Sequence, residues 1–135
     1  MTNFPQMRKN MILGQFLPES IKDKKILKAF ETISREKFLP NKFKPMAYSD
    51  LNIKIAQSRF IPSPLNSAKI FQEASFSGKE VVLLIGANYG YEAVILSNLV
   101  DTIIAIEEDM KLISFADNNI KGSNIENLVL LNSKH

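Results

Sequence analysis

Two glycines and one distant acid carry most of the chemistry this sequence offers. Val81 to Tyr91 reads VVLLIGANYGY, so five apolar residues lead into Gly86 and Gly90, and Glu107 follows 21 positions after Gly86. A glycine turn of this kind lets the backbone approach a ligand closely, and the helix start behind it offers free N–H groups. An acid closing the next strand commonly takes the two ribose hydroxyls of an adenosine moiety. A glycine pair alone is weak evidence; the acid at the right distance strengthens it. The plainer alternative is that Gly86 and Gly90 only shape a tight turn while Glu107 caps the following helix.

The turn also discriminates between cofactors. GANYGY does not fit the dinucleotide fingerprint G-x-G-x-x-G at its second glycine. A G-x-x-x-G turn with an acid after the second strand is closer to turns that hold S-adenosylmethionine (SAM). Gly86, Ala87, Asn88, Gly90, Tyr91 and Glu107 are the expected cofactor-binding residues. Other chemistries are excluded by composition. The chain has no cysteine and one histidine, the terminal His135. That removes thiolate sites, a histidine-based catalytic pair inside the fold, and most zinc chemistry, so no metal is expected.

The elements that must position these residues fall into two parts, 1–78 and 79–135, expected to fold as one unit. The first is helical and punctuated by prolines. FPQMRKNMILGQF places Phe4, Met7, Met11 and Leu13 near one helical stripe before Gly14 and Pro18 weaken it. DKKILKAFETIS is a stronger helix, capped by Asp23, with Ile26, Leu27, Phe30 and Ile33 on one face. Pro40, Pro45, Pro62 and Pro64 then break the chain into extended pieces and turns. Ser63 before Pro64 starts a further helix, with Leu65, Ala68 and Phe71 inward. From residue 80 the rhythm becomes strand, helix, strand, helix, strand. EVVLLIG reads as a strand covered on both faces, TIIAIEED as a second strand ending in acids, and NLVLLN as a third. YEAVILSNLV and MKLISFADNNIKG are the intervening helices, the latter closed by Gly122. Such alternation implies a doubly wound parallel α/β sheet.

Charge is unevenly spread. Residues 1–60 carry 12 Lys/Arg against 5 Asp/Glu, and residues 61–135 carry 5 against 9. The basic half reads as lysines on the solvent faces of short helices rather than a nucleic-acid surface, because no aromatic–basic motif accompanies it. No apolar run approaches the ~20 residues that cross a bilayer, and the N-terminus lacks a signal-peptide core. A cytoplasmic location without membrane attachment is expected.

Several segments together resemble one family. RKNMILGQFLPESIKDKKILKAF, REKFLP, MAYSD, FSGKEVVLLIGANYGYEAVILSNLV, IIAIEED and NIENLVLLN follow, in order, the pattern of the protein-L-isoaspartate O-methyltransferases. The resemblance implies a Rossmann-like SAM methyltransferase fold with an N-terminal helical subdomain. Its reaction would be transfer of a methyl group from SAM to a protein carboxylate, and its partner a protein or peptide substrate. A carboxylate attacking a sulfonium methyl in line needs positioning and desolvation more than acid–base chemistry.

The departures from the family pattern concern the same positions. Where the family's substrate loop reads GQTISQP, this chain reads SRFIPSP, with Pro62 in place of the serine and Phe60 in place of the threonine. This form is closer to an alpha-proteobacterial side branch. Ser63, next to Pro62, is the one candidate for a catalytic hydroxyl, though it also reads as a helix cap. Leu84 stands where the family has an acid, and Asn88 where it has the middle glycine. A lost charge-assisted contact at Leu84 would weaken SAM roughly ten- to hundredfold. Asn tolerates positive φ, so the turn can keep its shape. The resemblance also implies four further strands, so the expectation is a form truncated after the third strand, weak or inactive in turnover. VVLLI would then be an open edge, apolar on both faces: either a second copy or another partner covers it, or the sequence is a truncated reading frame or a fragment. The alternative is a non-catalytic protein-interaction module built on the remnant fold.

Overall fold

The computed structural model describes residues 2–134, and His135 lies outside them. The chain divides into two compact units, Met1–Ser75 and Phe76–His135.

The first unit is helical. Asn3 caps α1 (Phe4–Met11) through a bond from the Gln6 N–H, and the helix runs on into one wider π-type turn, Ile12–Phe16. Gly14 therefore does not end the helix. The widened turn also rotates the stripe, because Met11, Ile12 and Phe16 are buried while Leu13 is 55% exposed. Leu13 is thus a correction to the expected apolar face. Asp23 caps α2 (Lys24–Thr32), its Oδ1 accepting from the N–H groups of Lys25 and Ile26. Ile26, Ala29 and Phe30 are buried by this helix. Burying a side chain the size of Ile or Phe stabilises by about 1.5–3 kcal/mol. Phe16 meets Phe30 edge-on at 5.1 Å, and Phe30 stacks near Phe71 at 6.4 Å, so three helical segments share one aromatic centre.

Two 3₁₀ helices follow, Arg35–Phe38 and Asn41–Met46, with Pro45 inside the second. The stretch read as extended pieces and turns contains a small antiparallel hairpin, β1 (Ile53–Ala56) with β2 (Arg59–Ile61). Its pairing is irregular between Lys54 and Ala56, and a ladder this short leaves little periodicity to read. α3 (Pro64–Ala74) begins as expected, with Pro64 at the first helical position and Ser63 as its cap. Leu65, Ala68 and Phe71 are its buried face. The Gln72 side chain accepts from the N–H groups of Lys22 and Asp23 and donates to the Ser20 carbonyl, tying α3 to the turn before α2.

The second unit is a three-stranded parallel sheet of β3 (Val81–Ile85), β4 (Thr102–Glu107) and β5 (Leu128–Asn132), in the order β3-β4-β5. α4 (Tyr91–Ser97) and α5 (Met110–Lys121) connect them. Leu84, Ala105, Leu128 and Leu130 pack with Ala87 and with Ala93 of α4, which defines the covered face. Leu84 pairs with Ala105, and Ala105 with Leu130, so these side chains lie in one row across the sheet. The opposite face is different. Val81, Leu83 and Ile85 of β3 are 54–66% exposed, and Val129 and Leu131 of β5 are 46–47% exposed. The apolar run VVLLI is therefore covered on one face only, contrary to the two-sided burial its composition suggests. β3 and β5 are the two edges of this sheet.

Candidate functional site

The glycine turn sits at the carboxyl ends of β3 and β4, where open α/β sheets bind ligands. Its shape depends on three left-handed residues, Gly86 (φ 82°), Asn88 (φ 54°) and Gly90 (φ 96°). A Cβ on Gly90 would stand 3.1 Å from the Cβ of Ala116 in α5, so both the conformation and the closeness of α5 require glycine there. Asn88 holds its left-handed backbone because asparagine is among the few residues other than glycine that adopt it routinely.

The turn holds itself through its own amides. Gly86 and Ala87 N–H both donate to the Ile106 carbonyl, at 2.9 and 3.0 Å, and Gly90 N–H donates to Ala87 at 2.9 Å. The Asn88 N–H donates to Glu107 Oε1 at 2.8 Å. The amides of 86, 87, 88 and 90 are thus committed inside the protein, and what the turn offers a ligand is close approach more than donors.

Glu107 is the centre of this arrangement. It is fully buried, and its second oxygen, Oε2, accepts from the Asp109 N–H at 2.9 Å. One carboxylate therefore bridges the glycine turn and the start of α5. The capping of α5 itself falls to Asp109, whose Oδ1 accepts from Lys111 and Leu112 N–H. The Glu107 carbonyl accepts from the Asn132 side chain and from the Ser133 N–H, which brings the end of β5 to the same place.

The side chains around the turn point in distinct directions. Tyr89 packs its ring against Phe115 of α5, centroids 4.9 Å apart, and burial followed by the nearby Asp109 charge pushes its hydroxyl pKa up. Tyr91 is buried at the start of α4. Leu84, in place of an acid, joins the apolar row beneath Ala87.

Pro62 and Ser63 lie in the first unit. Pro62 presents its carbonyl to Arg35 Nη2 at 3.3 Å. Ser63 is buried, and its hydroxyl accepts from the Asn66 N–H, while its own N–H donates to Asn52. The Ser63 oxygen is thus engaged as the cap of α3.

Arg35 belongs to a cluster that sequence reasoning did not single out. Tyr48 donates to Glu36 and accepts from Arg8 Nε at 2.8 Å and from the Arg35 N–H at 3.0 Å. Arg8 reaches Glu36 at 3.4 Å and Ser34 at 3.1 Å. Burial raises the Tyr48 pKa to about 12, helped by its bond to Glu36. Burial alone would lower that of Arg8, but Tyr48 and Glu36 outweigh it and the net shift is upward. REKFLP contains Arg35 and Glu36, MAYSD contains Tyr48 and Arg8 opens RKNMILGQF, yet nothing in these segments says that their polar groups turn inward.

Parallel strands, a left-handed turn at their carboxyl ends and a buried acid on the next strand define a Rossmann-like α/β protein. Residues 7–134 match the family described as Protein-L-isoaspartate(D-aspartate) O-methyltransferase (PCMT). The chain belongs to that family. Among its relatives, Protein-L-isoaspartate O-methyltransferase 1 of Syntrophobacter fumaroxidans is 28% identical over 96% of this chain and 61% of its own. Protein-L-isoaspartate O-methyltransferase of Geobacter metallireducens is 32% identical over 78% of this chain and 49% of its own. The chain thus spans about half to three-fifths of these relatives' length. The fold is shared with a solved protein-L-isoaspartate O-methyltransferase at TM-score 0.78 and 24% identity, over 92% of this chain and 41% of that one. It is also shared, at TM-score 0.71 and 18% identity, with a Plasmodium falciparum protein in complex with S-adenosyl-L-homocysteine, over 98% of this chain and 64% of that one. Among the described residues, no helix is long and apolar enough to cross a membrane and no acid or histidine group has metal-site geometry.

Proposed function

We propose that this chain binds SAM at the carboxyl ends of β3 and β4, and that its transfer of a methyl group to a protein carboxylate is slow or absent. The observation that carries the reading is the turn of Gly86, Asn88 and Gly90 held against the buried Glu107. The backbone part of a SAM site fits: the left-handed turn keeps its close-approach shape, and the Glu107 carboxylate is fixed against it by the Asn88 and Asp109 N–H groups. Gly86, Ala87, Asn88, Gly90 and Tyr91 would line the cofactor, and Glu107 would orient its ribose. SAM itself supplies an electrophilic methyl group. The polar part fits less well, because Leu84 gives an apolar row where the family has an acid. On the acceptor side Pro62 has no hydroxyl and the Ser63 hydroxyl is occupied as a cap, which supports weak turnover. The substrate would be a protein or peptide carboxylate, met in the cytoplasm.

Calorimetry with SAM and with S-adenosylhomocysteine tests the binding half. Heat that vanishes in Glu107→Ala is expected; no heat with either compound, in a folded protein, sinks the cofactor reading. Methyl incorporation into an isoaspartyl peptide tests the catalytic half, with turnover far below that of a full-length relative expected. The second reading, an interaction module, is favoured by one observation, the uncovered apolar face of the sheet.

A further inference from the structure

We infer that Asn132 is a positioning residue for the Glu107 carboxylate, fixing the plane in which its two oxygens face the glycine turn and the start of α5. The inference rests on the reading of Glu107 as the acid that orients the ribose of SAM. The β4–β5 ladder ends at the pair Glu107–Asn132. Past that pair the Asn132 side chain takes over. Its amide donates to the Glu107 carbonyl at 3.0 Å and to the Glu108 carbonyl at 3.1 Å. Both of its N–H donors are therefore engaged on the chain that leaves β4.

The second of these bonds reaches the carboxylate. The Glu108 carbonyl and the Asp109 N–H belong to one peptide group, which is planar and trans, so the two point in opposite directions. Asn132 holds the carbonyl end of that group, and Glu107 Oε2 accepts from its N–H end at 2.9 Å. Fixing one end sets the direction of the other. The remaining oxygen, Oε1, accepts from the Asn88 N–H at 2.8 Å. A carboxylate held by a single N–H turns readily about its last bond; held by two, its plane is set.

A second asparagine beside the same strand marks what is particular to Asn132. Asn127, just before β5, donates to the carbonyls of Ser97, Val100 and Asp101 at 2.8, 3.2 and 3.0 Å. It ties the end of α4 to the start of β4, at the opposite end of the sheet from Glu107. Both asparagines brace β5 against its neighbours. The Asn132 brace also passes into a peptide group that the carboxylate itself uses. Its part is orientation, and the contact with a ribose hydroxyl stays with Glu107.

Hydrogen exchange of the full chain, followed by NMR, tests the inference without a ligand. Asn132→Ala, and Asn132→Asp with the same outline and no N–H donor, should speed exchange at Asp109 by about three- to tenfold, the worth of one hydrogen bond. Asn88, on the other side of the carboxylate, should speed up by about twofold or more. Amides in the middle of β4 should keep the parent rate. Asn132 is exposed at a strand end, so both variants should keep the parent circular dichroism. Asn127→Ala should leave Asp109 and Asn88 at the parent rate. Unchanged Asn88 exchange in both Asn132 variants, or equal acceleration in Asn127→Ala, overturns the inference and leaves Asn132 as a brace of β5. Calorimetry with S-adenosylhomocysteine reads the consequence: binding about three- to tenfold weaker in Asn132→Ala and unchanged in Asn127→Ala. Parent-strength binding in Asn132→Ala also overturns it. If the parent gives no heat, the cofactor reading fails by itself, and the exchange at Asn88 still decides whether Asn132 positions the carboxylate.

Discussion

The two units bury an acid in opposite ways. In the first, Glu36 is met by side chains: the Arg8 guanidinium and the Tyr48 hydroxyl, with Arg35 joining through its backbone. In the second, Glu107 is met through backbone N–H groups, from Asn88 and Asp109. The first arrangement pairs charge with charge and ties α1 to residues 34–36 and to Tyr48. The second ties a turn to a helix start, so anything that moves the turn also moves the carboxylate. A site meant to respond to a ligand fits the second description; a site meant to hold a scaffold fits the first.

The largest effect should come from breaking the first arrangement. Glu36→Ala leaves Arg8 buried without its counter-charge and the Tyr48 hydroxyl without its acceptor. Removing one partner of a buried pair costs about 3–5 kcal/mol. Urea unfolding should show a loss of that size. A loss below about 1 kcal/mol, the range of a solvent-exposed ion pair, would mean that water already replaces the contact.

The Glu107 clasp should cost less to break, and its loss should be local. Glu107→Ala removes the acceptor of two amides, each about 1–3 kcal/mol when left buried and unsatisfied. Glu107→Gln keeps one oxygen as acceptor and should lose roughly half as much. Hydrogen exchange should speed up at Asn88 and Asp109 in both variants while the first unit is unchanged. Equal protection in Glu107→Ala and the parent would show that the turn stands on its own glycines, and the comparison between the units would fail.

How much of this was readable in the residues follows the same division. Asp23, Ser63 and the Gly86–Gly90 turn were legible because a cap or a left-handed turn is decided by local chemistry. The three strands were legible because runs such as TIIAIE have few other uses. VVLLI shows the limit, since composition records that a strand is apolar and not which of its faces is covered. Arg8, Arg35, Glu36 and Tyr48 show another, because they meet across 40 residues of chain with no local period. The hairpin of β1 and β2 was too short to leave a pattern, and Leu13 was misplaced by a π-type turn that sequence periodicity does not announce.

The smallest effects are pH limbs, one for each unit. Tyr48 titrates near 10 when unfolded and near 12 in the fold, so the native state holds its proton longer. Its contribution is complete below pH 10 and is lost as pH rises toward 12. Tyr48→Phe should flatten this alkaline limb. In the second unit, Glu80 accepts from the Ser77 and Gly78 N–H groups and the Ser77 hydroxyl, which lowers its pKa to about 2. Its contribution is present above the unfolded value near 4.5 and is lost as pH falls toward 2. The Glu80 shift comes from hydrogen bonds to neutral groups near the surface, so the acid limb should be shallow and nearly independent of salt. Unfolding midpoints of the parent, Tyr48→Phe and Glu80→Gln across pH separate the two limbs. If Tyr48→Phe kept the parent's alkaline limb, the cluster around Tyr48 would not be what holds that proton, and the contrast between the units would narrow to their backbone bonds.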